Sequence, residues 1–446
     1  MARTDDFRIE PEWYWSRERA DAEWHNVWCK AWHMGPRVEE LAEPGDAMLH
    51  TLGRESLIFL RDDKGALRGF YNACPHRGNR LLLGADGPTH VSAFHCAFHG
   101  WRFGQDGAAI DIPYRERFDC AALARPGATS LRSFRVAEWS GWVWFTLDEE
   151  APDLFDYLGP IREKLEAYRM ERAHIVDYKT VEFGCNWKMV FDAFNESYHF
   201  QALHSAVLSW GNEDAPITLL NIHSMMINEY GRPSRLHADQ ETLSPPLLAL
   251  LEGNGIDPAT FAGGARGVRA AVQQSKRARQ ADSVFPYAAL SDGQLSDAYH
   301  FLLFPSVHFN LFPEFYVAMR YRPHPSGDPE RMYFDFIMCA PLAPGETPPV
   351  YEHRVARGGS EPIGAILDWK RWTHPIVEQV LGEDVGLLEH VQAGIHSKGF
   401  AGALLSSDER RIAHFHRNID ALVSGRATIR KLIADNITEP MAEHEQ

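Results

Sequence analysis

Two short cysteine–histidine pairs, Cys74-Pro75-His76 and Cys96-Ala97-Phe98-His99, are separated by 19 residues near the front of the chain. Each offers one soft thiolate and one imidazole. Two such loops make the mixed ligand set of a [2Fe–2S] centre in which thiolates hold one iron and neutral imidazoles the other. A tetrahedral zinc ion is the competing reading of two Cys and two His, although zinc sites more often group Cys with Cys and His with His. Gly78 and Gly100 lie beside the pairs and permit tight turns, Pro75 stiffens the first loop, and Trp101 is placed to shield a cluster from water. His90 and His95 fall off the pattern and are read as non-ligands.

A second set of metal-type residues lies in NWKMVFDAFNESYHFQALH, residues 186–204. Asp192, Glu196 and His199 are spaced i, i+4, i+7, which one helical face would hold together. His204, five residues beyond His199, would sit roughly 140° away on a regular helix, so a break between Tyr198 and His204 is expected if both bind one ion. A mononuclear iron oxygenase site wants two His and one carboxylate on one face of the metal. The third ligand is sought in IVEQVLGEDVGLLEHV, residues 376–391. There Ile376, Val377, Val380, Leu381, Leu387, Leu388 and Val391 form an apolar stripe with Asp384 in its middle, where a lone carboxylate is costly. Pro375 and Gly394 mark the expected helix limits, and Glu383 is expected to point away.

The elements that must position these groups read as an α+β chain. Trp24, Trp28 and Trp32 form an i, i+4, i+8 stripe in an N-terminal helical segment, residues 1–40, that packs on the body. Residues 41–150 have β texture, with turns at Asp62–Gly65, Gly104–Gly107 and Ser140–Gly141, so both Cys/His pairs fall at strand connections. Helical and strand-like runs then mix from 151 to 446. Residues 230–285, with a basic helical piece from Arg266 to Arg279, read equally as a mobile insertion or a solvated excursion. Two apolar stretches, LLNIHSMMINEY and HFLLFPSVHFNLF, are candidate pocket walls. His223, His308, His414 and His416 receive no role.

The motifs CPHRGNRLLLG and HCAFHGWRF, with the 186–204 segment and GEDVGLLEHVQAGIHS, resemble the large (alpha) subunits of Rieske non-haem iron aromatic-ring-hydroxylating oxygenases. One departure is Ala97-Phe98, where many members have Pro-Tyr. The resemblance implies an all-β Rieske [2Fe–2S] domain followed by a larger catalytic domain, with Cys74, His76, Cys96 and His99 on the cluster. It implies His199, His204 and Asp384 as Fe(II) ligands. Glu196 would couple one subunit's cluster to the next subunit's iron, with a weaker supporting role for Asp192, in a head-to-tail homotrimer to which small beta subunits can be added. The implied role is the terminal component of a multicomponent system. Electrons would come from NAD(P)H through a separate reductase, with or without a ferredoxin, and O2 would be used to hydroxylate, dihydroxylate or demethylate a hydrophobic aromatic or alicyclic substrate.

Composition agrees with that role. The chain has 446 residues and a net charge of −16, so it lacks the basic stripe of a nucleic-acid binder. No apolar run has membrane-spanning length and no secretory pattern opens the chain, so a cytoplasmic protein is expected. Six cysteines over this length do not make a disulfide scaffold. The rival reading is a Rieske electron carrier or redox sensor whose second domain binds a ligand without turnover. A zinc hydrolase ranks last, because it leaves the Cys/His loops unexplained.

Overall fold

Turn chemistry and alternating apolar residues produce the hairpins expected in the first third of the chain. In this computed structural model, which describes residues 7–84, 87–349, 354–357 and 375–435, strands Glu55–Arg61 and Leu67–Tyr71 pair antiparallel across the Asp62–Gly65 turn. Strands Ser133–Trp139 and Trp142–Thr146 pair across Ser140–Gly141. They belong to a seven-stranded sheet that also takes Trp32–Arg37 and Asp46–Leu52. A small three-stranded sheet, Phe94–His95, Arg102–Phe103 and Ala109–Asp111, carries the second Cys/His loop. Between them lies a separate core that includes Ile58, Phe70, Phe94, Phe103, Cys74 and Cys96.

The rest of the chain builds an eight-stranded sheet. Its spatial order is Ile217–Leu220, His223–Asn228, Ala298–Leu303, Val307–Leu311, Tyr316–Pro323, Met332–Pro341, Ala173–Phe183 and Arg354–Arg357. Every pairing is antiparallel except the last. Helices Trp187–Ala193 and Arg410–Val423 pack on it, and Pro375–Ile395 packs on the first of these. This is the α+β architecture read from the sequence.

The N-terminal tryptophans are buried as expected, at 7%, 2% and 2% exposure for Trp24, Trp28 and Trp32. They do not share one helix, however. Helical backbone ends at Trp28, and Trp32 opens a strand that pairs with Thr146. Residues 230–285 contain two packed helices, Pro245–Gly253 and Gly264–Ala278, whose Leu247, Leu251, Val268 and Val272 form a core with Val207 and Trp210. No helix among the described residues is long and apolar enough to cross a membrane.

Candidate metal centres

The two Cys/His loops are built alike. Cys74 accepts from the backbone N–H of Gly78 at 2.8 Å, and Cys96 accepts from that of Gly100 at 2.9 Å, both through their carbonyls. Both glycines have positive φ, 75° and 73°, which is why this turn places glycine four residues after each cysteine. Cys74 and Cys96 are buried. The rings of His76 and His99 lie 4.5 Å apart, and Trp101 stacks flat on His76 at 5.0 Å. Nδ1 of each histidine is buried without a hydrogen-bond partner, as a metal-ligating nitrogen would be before the metal is added.

Electrostatics separates the two thiols. Burial pushes Cys74 up. Burial acts the same way on Cys96, but the N–H groups of Phe98 and His99 outweigh it and bring that thiol down. Among the described residues, only His199, His204 and Asp384 bring three ligand atoms within 4.8 Å of one another. The paired thiols and paired imidazoles, one of each from each loop, suit a two-iron cluster with Cys on one iron and His on the other.

The second centre is assembled where a helix stops. Asn186 caps Trp187–Ala193 by accepting from the Lys188 N–H at 3.0 Å. The helix ends before Glu196, and a 3-10 turn over Tyr198–Gln201 presents His199. A further turn brings His204 round, so the expected break exists and begins earlier than the sequence reading placed it. His204 Nε2 lies 2.8 Å and His199 Nε2 3.4 Å from the same Asp384 oxygen. The Glu196 carboxylate holds His199 Nδ1, and Glu383 holds His204 Nδ1 at 2.7 Å. Each imidazole thus has its outer nitrogen fixed by a carboxylate and its Nε2 turned to the common point, as metal-binding histidines require. Burial would lower His199, but Asp384 and Glu196 push it up to about 10. Burial would raise Asp384, yet the two imidazoles hold it low.

Three expectations need correction. Glu383 does not point away; it sits on His204, because the two edges of one ring can be reached from adjacent helix positions. Asp192 does not share a face with Glu196 and His199, because the helix has ended; it accepts from Tyr14 Oη at 2.6 Å and pairs with His416 Nε2 at 2.8 Å. The apolar stripe on the long helix is narrower than read. Asp384, Val385, Leu388 and Gln392 are buried, Leu387 and Val391 are each 46% exposed, and Gly394 lies inside the helix. The side chains of Ile376, Val377, Val380 and Leu381 lie outside the described residues.

A cavity of about 120 Å³ opens onto His199 and Asp384. Both stretches read as pocket walls line it, but the side chains they turn inward include Asn228, His300 and Asn310 as well as Met226 and Phe312. A larger space, about 810 Å³, separates the seven-stranded sheet from the outer face of the eight-stranded one. Its Arg320 and Arg322 are already bound to the buried Asp335 at 2.7 Å.

Residues 31–134 match the Rieske [2Fe–2S] domain family, and residues 170–425, more than half of the chain, match the family described as ring hydroxylating alpha subunit, catalytic domain. The chain belongs to the ring-hydroxylating alpha-subunit family. Its cofactors are accordingly a [2Fe–2S] cluster and a mononuclear iron, and the donor sets described above fit both. Among similar proteins, the carnitine monooxygenase oxygenase subunit of Acinetobacter pittii is 29% identical over 216 residues, 45% of this chain and 55% of that one. The chlorobenzene dioxygenase subunit alpha of Cupriavidus sp. is 27% identical over 199 residues, 43% of each. The chain spans about half the length of the curated relatives it matches. Its fold resembles a quaternary ammonium Rieske monooxygenase in complex with L-carnitine, with TM-score 0.64, 19% identity and coverage of 93% and 95% of the two chains. Naphthalene 1,2-dioxygenase from Rhodococcus sp. gives 0.62, 17%, 95% and 96%.

Proposed function

We propose that this chain is the terminal oxygenase component of a multicomponent Rieske system. The carrying observation is the convergence of His199, His204 and Asp384 on one point beside a cavity, in a chain that also carries the separate Cys74, His76, Cys96 and His99 set. When bound, the cluster supplies single electrons and the iron supplies the site for O2. Glu196 fixes the His199 ring and is the link toward a neighbouring subunit's cluster. Electrons come from NAD(P)H through a partner reductase, with or without a ferredoxin. The assembly is a head-to-tail homotrimer. Exposed Leu83, Phe98 and Tyr114 on the Rieske side support a docking face there. The cytoplasm is the compartment that keeps thiols such as the exposed Cys120 unpaired.

The reaction is hydroxylation, cis-dihydroxylation or oxidative demethylation of an organic substrate with an apolar body. An aromatic or alicyclic substrate suits the Met226 and Phe312 walls. A quaternary ammonium substrate is the second reading. It is favoured by the stacked Trp210 and Tyr230 rings, 4.3 Å apart in the same cavity, whose faces would attract a cation.

Iron and acid-labile sulfide per chain, with an EPR spectrum of the reduced protein, test the assignment. About three irons to two sulfides with a Rieske signal is expected. About two irons to two sulfides after Fe(II) reconstitution would favour the electron carrier. His199→Ala should keep the Rieske signal and lose product formation; retained turnover would remove His199 from the site.

A further inference from the structure

The cavity beside His199 and Asp384 has one wall that carries buried polar atoms without a hydrogen-bond partner. His300 lies on strand Ala298–Leu303, between Met226 on one neighbour and Asn310 on the other. It is 4% exposed and lines the cavity. Its Nδ1 faces both terminal nitrogens of Arg411 at 3.3 Å. A guanidinium only donates, so Nδ1 accepts and the ring proton sits on Nε2. That Nε2 is buried and has no partner. Leaving a buried donor unmatched is costly, so an acceptor brought in by a ligand recovers that cost.

Arg411 adds charge behind the ring. It is fully buried, donates to Ser224 Oγ at 3.0 Å, and has no carboxylate partner among the described residues. Burial pulls its pKa down to about 9, and burial with the adjacent guanidinium keeps His300 neutral. On the same wall, Asn310 Oδ1 and Asn228 Nδ2 are also buried without partners. An uncompensated cation behind an N–H donor makes this wall attractive to a partial or full negative charge.

We propose that His300 is a specificity residue: its Nε2–H, backed by Arg411, binds an acceptor oxygen of the substrate, a carbonyl or a carboxylate. The apolar body of the molecule then lies against Met226 and Phe312. This deepens the oxygenase reading, from which it takes only the identity of the cavity as the substrate chamber. A plain hydrocarbon leaves the Nε2–H and both amides unmatched and is a poor ligand.

The test is equilibrium binding to the iron-loaded protein under anaerobic conditions, so that no turnover is needed. Three probe pairs are used: acetophenone against cumene, benzoate against cumene, and γ-butyrobetaine against butyltrimethylammonium. At least one oxygen-bearing member should bind about tenfold or more tightly than its counterpart. A preference for acetophenone assigns a neutral carbonyl; a preference for benzoate or γ-butyrobetaine assigns a carboxylate. His300→Phe should remove the preference, and His300→Gln, which keeps an N–H donor, should restore part of it. Asn228→Leu, which removes the unpaired Nδ2–H on the same wall, gives an independent weakening should His300→Phe not fold. Equal binding within all three pairs, a preference that survives His300→Phe, or no binding of the oxygen-bearing probes at millimolar concentration overturns the proposal. Failure of the second site to load iron would instead overturn the oxygenase reading, while the binding preference could still be read.

Discussion

At the scale of single residues, the second centre is governed by what holds the far side of each imidazole. Glu196 and Glu383 fix the Nδ1 edges, so Nε2 of both rings is turned to Asp384. Glu383→Ala should weaken iron binding there about 10–100-fold while leaving the Rieske EPR signal unchanged. Iron content against free Fe(II) checks this, and an unchanged iron affinity would make Glu383 a bystander. Burial acts differently on histidines away from the metals. His33, His223 and His414 are each held down to about 4, chiefly by burial. Unfolded, each titrates near 6.5, so between about pH 6.5 and 4 the unfolded chain takes up more protons than the folded one. Their contribution to stability is complete above that window and is lost as pH falls through it. Thermal midpoints measured across the window should drop steadily; a flat profile contradicts the assignment of these rings as buried and neutral.

At the scale of elements, one short helix sets the geometry. Asn186 caps Trp187–Ala193, donates from its amide to the Pro329 carbonyl at 2.8 Å, and takes Gln392 Oε1 on its backbone N–H. Asn186→Ala should cost about 1–2 kcal/mol in urea unfolding. The same helix shows what the sequence could reveal. Cys74, His76, Cys96, His99, His199 and His204 stood out because their chemistry is rare and their spacing is local, whereas Asp384, 180 residues from His204, stood out as a carboxylate within an apolar run. The turns at Asp62–Gly65 and Ser140–Gly141 were legible because turn residues are specific. The end of the helix at Ala193 was not, because nothing in FDAFNESYH stops a helix by propensity alone; the Glu196 carboxylate accepts from the His199 N–H at 3.2 Å, a local bond that only the structure reveals. The narrow stripe on Pro375–Ile395 was misread for a related reason. Gln392 is buried where an apolar residue would be expected, and it is satisfied by Glu330 and the Asn186 N–H. Hydrophobic pattern counts apolar residues and cannot see a polar one with partners. His300 was missed because a histidine within an apolar strand looks like core until Arg411, 111 residues away, is seen to fix its tautomer.

At the scale of the whole molecule, the first residues of the chain brace the catalytic helix. Glu23 meets Lys188 at 2.9 Å with both side chains at most 2% exposed, and Trp187 Nε1 donates to the same carboxylate at 3.3 Å. Glu23→Ala would leave a buried ammonium without its partner and should cost about 3–5 kcal/mol. Glu23→Met with Lys188→Met should recover most of that. Denaturant midpoints of the two variants distinguish a paired charge from simple loss of packing. Tyr14 reaches Asp192, and strand Arg8–Ile9 pairs with Ala403–Leu404 near the other end of the chain. Trp32 and Thr146, where the Rieske strands begin and end, are direct neighbours in one sheet. The cluster-bearing region is thus a parenthesis opened and closed within a single sentence of structure. Order of synthesis is therefore a poor guide to order of melting. Backbone amides of residues 17–28 should exchange with solvent in step with those of 187–193 and 410–423, and out of step with the loops around Cys74 and Cys96 that follow them in the chain.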